Sequence, residues 1–170
     1  NEVYKLLSIC SNKKHSCILQ IIYGCGLRVS EVIRLKTEDL DRNSMKIFIR
    51  SDDGSEDRIL PLPMALKFNL KNYCKEYLPK KYLFEGRDFK KYSSKSIQNF
   101  TKKYAISAKI KKHITPFTLR HSYAIHQLEK GIGVEYVQQL MGHRSIKTTE
   151  QYYQPINLSK LDIPSPLDYL

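Results

Sequence analysis

The sequence predicts a mainly α domain that carries one small antiparallel β-sheet. Three observations lead there. Apolar residues recur at helical spacing through most of the chain, one stretch alternates with a period of two on either side of a glycine turn, and Gly or Pro marks most changes of pattern. With 170 residues, 41 % of them hydrophobic, the chain is long enough to close one core without help from metal or disulfides.

The elements follow in order. Val3, Leu6, Leu7 and Cys10 form a first helical stripe, and the polar break Ser11 to His15 separates it from the apolar run Cys17 to Tyr23, so the chain opens with a helical hairpin. Gly24 and Gly26 interrupt the pattern just before Arg28. Ser30 and Glu31 then lead into Val32, Ile33 and Leu35, a stripe that ends near Glu38, Asp39 and Asp41. Met45 to Ile49 alternates, Asp52 to Ser55 reads as a turn around Gly54, and Arg58 to Leu62 is β-prone until Pro61 and Pro63 stop it, which predicts a hairpin.

Helical spacing returns from Met64 to Leu78 and, after a connector with Pro79, Leu83 and Phe84, again from Ser93 to Ala108. Pro116 suits the first turn of a helix over Phe117 to Lys130, closed by Gly131 and Gly133. A short helix over Glu135 to Met141 breaks at Gly142, and another is predicted over Ser145 to Tyr153. The stripe Val134, Val137, Leu140 and Met141 reads as core. Residues 1–154 form the predicted domain, and 155–170 a tail too apolar, with Leu158, Leu161, Ile163, Leu167 and Leu170, to be only a solvated end.

Charge narrows the partner. Lys and Arg number 29 against 17 Asp and Glu, a net of +12, which favours a polyanionic partner such as nucleic acid or an acidic membrane face. The pairs Lys13-Lys14, Lys80-Lys81, Lys90-Lys91, Lys102-Lys103 and Lys111-Lys112 are candidates for phosphate contacts, about half of them expected to make one. Cys10, Cys17, Cys25 and Cys74 lack the two-residue spacing of zinc or redox motifs and read as reduced structural thiols. No run of about 18 apolar residues occurs, so no spanning helix, no membrane partner and a cytoplasmic location are expected. The opening at Asn1, directly into a helical pattern, suggests an upstream portion outside this chain.

Three boxes stand out: Gly26-Leu27-Arg28-Val29-Ser30-Glu31, then Leu119-Arg120-His121-Ser122-Tyr123-Ala124, then Gly142-His143 with Tyr152 nine residues on. In their order and spacing they resemble the tyrosine recombinase (phage integrase) family, and the resemblance covers nearly the whole chain. It implies that family's catalytic-domain fold and DNA strand cleavage and joining through a 3′-phosphotyrosine. The chemistry fits these residue types. Without a metal, phosphodiester cleavage needs cationic donors on the nonbridging oxygens and an in-line oxygen nucleophile. Arg28 and Arg120 offer two planar forks to one phosphate. The family's pattern makes Tyr152 the nucleophile in preference to its neighbour Tyr153, with His143 donating to the phosphate or assisting proton transfer. Glu31 reads as an orienting or helix-start carboxylate.

Two positions depart from that pattern. The family carries a lysine in the β-hairpin loop that protonates the leaving 5′ oxygen, and ungapped alignment on Arg58-Ile59-Leu60-Pro61-Leu62 puts Asp53 there, with Lys46 and Arg50 on the preceding strand as possible substitutes. Phe117 stands three before Arg120, where the family usually has a histidine. A slow recombinase is therefore expected. His121 reads as a supporting group, His126 as a packed helix residue and His15 as exposed.

The resemblance further implies duplex DNA as partner, a homotetramer on DNA with the isolated domain monomeric, a tail that docks on a neighbouring protomer, an N-terminal clamp domain outside this chain, and no cofactor or metal. It also implies a bacterial or phage-derived, nucleoid-associated protein. The alternative is a catalytically inactive DNA-binding relative acting as an architectural or regulatory factor; a type IB topoisomerase is a further rival.

Overall fold

A computed structural model of the protein describes residues 2–51 and 57–152. In chain order these form α1 (Glu2–Ser8), α2 (Lys13–Cys25), α3 (Val29–Arg34), β1 (Leu40–Asp41), β2 (Lys46–Ile49), β3 (Arg58–Pro61), α4 (Met64–Tyr77), α5 (Ser94–Ser107), α6 (Pro116–Glu129), α7 (Val134–Met141) and α8 (Ile146–Glu150). The mainly helical prediction with a small antiparallel sheet matches this architecture. Asp53, Tyr153 and the predicted tail 155–170 lie outside the described residues.

Helix α2 is the axis because its sequence is apolar around most of its circumference: Cys17, Ile18, Leu19, Ile21, Ile22 and Cys25 are all buried. A helix with no wide polar face has to be covered on several sides, and α4, α5 and α6 pack against it. They supply Leu66, Leu70 and Tyr73 from α4, Ile97 and Phe100 from α5, and Leu119 from α6. A second, smaller cluster joins Tyr123, Ala124 and Leu128 of α6 to Val137 and Met141 of α7 and to Tyr152. Local chemistry starts both α2 and α6. Asn12 Oδ1 accepts the His15 N–H at 3.0 Å, and Pro116 occupies the first turn of α6 behind Thr115.

The predicted hairpin is one strand richer. β1, β2 and β3 lie in that order, all antiparallel, with Ile47 opposite both Leu40 and Leu60 and buried with Ile49 and Leu60. The acidic stretch after α3 forms a 3₁₀ turn (Thr37–Asp39) and then β1, because Asp41 Oδ1 accepts the N–H groups of Asn43 and Ser44 and turns the chain into β2.

Two expectations are corrected. The last predicted helix is shorter, α8 ending at Glu150, so Tyr152 sits on the turn beyond it. His15 is half-buried, stacked on Phe100 at 3.9 Å between ring centroids, with its nitrogens 3.2 and 3.1 Å from the hydroxyls of Tyr104 and Tyr92. The four cysteines are free thiols, three of them buried. Among the described residues no helix is long and apolar enough to cross a membrane.

Candidate active site

The first box is a tight turn that glycine makes possible. Gly26 closes α2 with φ +64°, and a Cβ there would stand 2.5 Å from the Tyr123 ring, so the left-handed turn and the close approach both require glycine. The turn buries Leu27 and leaves Arg28 at the N-cap of α3. Three residues on, Glu31 reaches back, its Oε2 accepting the Arg28 N–H at 2.7 Å.

Glu31 is only 5 % exposed and is the hub of three guanidinium groups. Arg58 of β3 donates to both carboxylate oxygens at 2.8 and 3.0 Å, Arg28 Nη1 stands 3.3 Å from Oε1, and Arg120 Nη1 stands 3.7 Å from Oε2. Burial pushes the carboxyl pKa up, but the hydrogen bonds and charge of Arg58, with Arg28 and Arg120 behind them, outweigh it and hold Glu31 below the ordinary carboxylate range. The helix-start reading of Glu31 is therefore right and incomplete.

The end of α7 is the second hub. A helix leaves its last carbonyls without intrahelical donors, and three consecutive ones here each take an arginine. Leu140 O accepts from Arg58 Nε at 3.0 Å, Met141 O from Arg120 Nη2 at 2.6 Å, and Gly142 O from Arg28 Nη2 at 2.8 Å. Arg120 also donates through Nη1 to the carbonyl of Gly26, tying the first box to the second. Burial, and after it the opposing pull of Glu31 and the neighbouring Arg28 and Arg58 charges, leave the Arg120 pKa lowered to about 10, so the group stays charged at neutral pH.

His143 follows the glycine that ends α7. Its Nε2 lies 3.1 Å from Arg120 Nη2 and its Nδ1 2.9 Å from Thr149 Oγ1. Burial first, then the charges of Arg120, Arg28 and Arg58, push its pKa down to about 4. Tyr152 stacks beside it, ring centroids 5.8 Å apart and planes 12° apart, with the His121 ring 4.6 Å away on another side. Arg28, Arg120, His143 and Tyr152 all line one cavity of about 420 Å³, whose rim includes Phe117.

All four predicted site residues thus meet within one chain. Phe117 is 66 % exposed at the lip, one helical turn before Arg120. Neither substitute for the missing lysine lines the cavity. Lys46 lies at the end of β2 opposite Pro61, and Arg50 pairs with Asp39 at 3.1 Å. Asp53 falls outside the described residues.

A family model described as the phage integrase family matches residues 1–157. The chain belongs to the tyrosine recombinase (phage integrase) family. It is 36 % identical over 156 residues to the tyrosine recombinase XerA of Pyrococcus horikoshii, an alignment that covers 89 % of this chain and 54 % of the relative. It is 38 % identical over 165 residues to a tyrosine recombinase of Pseudothermotoga lettingae, covering 95 % and 57 %. The chain therefore spans little more than half the length of these relatives. Among solved structures, a crystal structure of XerA recombinase superposes with a TM-score of 0.84 at 28 % identity, over 90 % of this chain and 58 % of that one. XerH recombinase bound to a palindromic difH substrate, at 22 % identity and a TM-score of 0.79 over 89 % and 47 % of the two chains, shares the fold.

For this tyrosine recombinase family member, sequence reasoning missed Arg58, seen only as part of a β-prone run, and the three capped carbonyls of α7. A half-buried arginine in a strand carries no local signal; its partner is 27 residues away. The basic pairs divide. Lys13 pairs with Glu76, Lys14 donates to the Glu85 carbonyl at 2.7 Å, and Lys112 pairs with Glu2. Lys102 and Lys103 are exposed on α5.

Proposed function

We propose that this chain is the catalytic part of a site-specific DNA recombinase that cleaves and rejoins duplex DNA through a 3′-phosphotyrosine. The observation that carries the reading is the convergence of Arg28, Arg120, His143 and Tyr152 on one cavity. The Tyr152 phenol oxygen gives up its proton and attacks the scissile phosphorus, the P–O5′ bond breaks, and the leaving oxygen takes up a proton to become a 5′-hydroxyl, so no net proton is consumed. Rejoining reverses the step, so the bond energy stays in the adduct and no nucleotide is consumed.

Arg28 and Arg120 hold the nonbridging oxygens, where charge builds in the transition state. Three guanidinium groups around one carboxylate leave two net positive charges at the site. A phosphodiester with a neutral phenol beside it carries one negative charge, and the transition state carries two once the phenol proton has left, so the balance suits the transition state better than the ground state. The family's assisting histidine is replaced by Phe117, and its hairpin lysine aligns with Asp53. The loss of one such proton-handling group lowers rates roughly 10² to 10⁴-fold, so the enzyme works slowly. Recombination proceeds in a homotetramer on DNA, the isolated domain is monomeric, and the tail docks on a neighbouring protomer.

Incubation with duplexes taken from the DNA flanking its gene, followed by denaturing electrophoresis, tests the reading. A covalent protein–DNA band that Tyr152→Phe lacks is the expected result. Binding without any band points to an inactive DNA-binding relative, which the aromatic Phe117 at the cavity lip would suit.

A further inference from the structure

Arg58 does not line the cavity that holds Tyr152, yet it grips Glu31 more closely than either arginine that does. Its two terminal nitrogens sit 2.8 and 3.0 Å from the carboxylate oxygens, against 3.3 Å for Arg28 and 3.7 Å for Arg120. The bidentate fork is the strongest pairing a carboxylate makes. Only about 10 % of the Arg58 side chain is exposed, so solvent screens the pair weakly. A third hydrogen bond, from Nε to the Leu140 carbonyl at 3.0 Å, fixes the guanidinium plane against the end of α7.

We infer that Arg58 is a positioning residue for the proposed cleavage: it occupies Glu31 and so keeps the charge of Arg28 and Arg120 available to the phosphate. This rests on the phosphoryl-transfer reading above. Glu31 is needed to seat Arg28 at the start of α3, but a buried carboxylate between two phosphate-binding arginines is also their competitor. Arg58 resolves the conflict by taking the shortest side-chain contact to each oxygen from outside the Tyr152 cavity. Without it, Glu31 is left to Arg28, whose Nη1 already donates to it at 3.3 Å, and to Arg120 at 3.7 Å, and it neutralises the clamp more fully. The net charge at the site then falls from two to one.

The consequence is an unusual form of rescue. Arg58→Gln keeps an amide donor and loses the charge, and it forms the covalent adduct at least 10²-fold more slowly than the parent while binding the duplex within about threefold. Adding Glu31→Gln restores two net charges and recovers at least tenfold of that loss. A double variant as slow as the single one, or slower, overturns the inference, because two losses in a merely structural network do not repair each other. Should Arg58→Gln fail to fold, Arg58→Lys retains the charge but engages the carboxylate at one point. It is expected to be about tenfold slow and to regain that rate with Glu31→Gln; an unrepaired rate again overturns the inference. Parent protein and Tyr152→Phe run beside these variants. If the parent forms no adduct, the cleavage reading fails and takes this inference with it, a result distinct from an active parent without rescue.

Discussion

Arg120 Nη2 lies 3.1 Å from His143 Nε2, and because a guanidinium has no lone pair to accept with, the imidazole is the acceptor there. The ring proton is then on Nδ1, directed at Thr149 Oγ1 2.9 Å away. The free enzyme therefore holds a neutral His143 that locks the turn before Tyr152 to the arginine beside it. Its pKa is pushed down to about 4, burial being the largest cause and the surrounding arginines next. The unfolded chain titrates that histidine near 6.5, so between about pH 6.5 and 4 the unfolded state binds the extra proton and stability falls as pH falls. Urea midpoints of the parent are expected to drop between pH 7 and 5 by more than those of His143→Asn. Parallel pH dependence in the two proteins would contradict the assignment.

Arg120→Lys tests whether the fork or only the charge matters. Arg120 spans the carbonyls of Gly26 and Met141 and the ring of His143, and a single ammonium cannot reach all three. Cleavage is expected to fall at least 10²-fold, with a stability loss of about 2 to 4 kcal/mol from the unpaired carbonyls. Near-parental cleavage by the lysine variant would show that a point charge suffices.

Three glycines with positive φ give a graded series. Gly131 has open space where a Cβ would go, so Gly131→Ala bears only backbone strain and costs about 1 kcal/mol. Gly142→Ala would bring Cβ to 2.8 Å from Arg58 Nη1, and Gly26→Ala to 2.5 Å from the Tyr123 ring, so both are expected to cost about 3 kcal/mol or more. Thermal melts should rank Gly131→Ala well above the other two, and a flat series would be inconsistent with the turns described.

Phe117→His restores a proton-handling side chain at the lip of the cavity. Because Phe117 is largely exposed, stability should change by less than about 0.5 kcal/mol. The adduct should form about 10-fold faster or more, read in single-turnover kinetics. An unchanged rate would mean that the side chain one turn before Arg120 takes no part in proton movement here.

Most of the helices were legible because their stripes have the helical period and their ends carry Gly26, Pro116 and Gly142, residues whose local chemistry is visible without tertiary context. β1 was not legible. Two residues have no periodicity, and Leu40 becomes a strand only because Ile47 lies opposite it. The site divides in the same way. Arg28, Arg120, His143 and Tyr152 stand in boxes whose order and spacing are visible along the chain. Arg58 and the Leu140, Met141 and Gly142 carbonyls join the site through contacts between distant segments, and a backbone carbonyl has no sequence identity to find. His15 looked exposed because its partners, Tyr92, Phe100 and Tyr104, come from α5 and the loop before it.

The most direct measurement is to digest the covalent protein–DNA complex with protease and nuclease and identify by mass spectrometry the residue that carries the nucleotide. The expected result is a 3′-phosphonucleotide on the Tyr152 oxygen, a free 5′-hydroxyl on the other strand end, and no such peptide from Arg28→Ala or Arg120→Ala. A nucleotide on any other side chain, or an adduct that survives loss of both arginines, would contradict it.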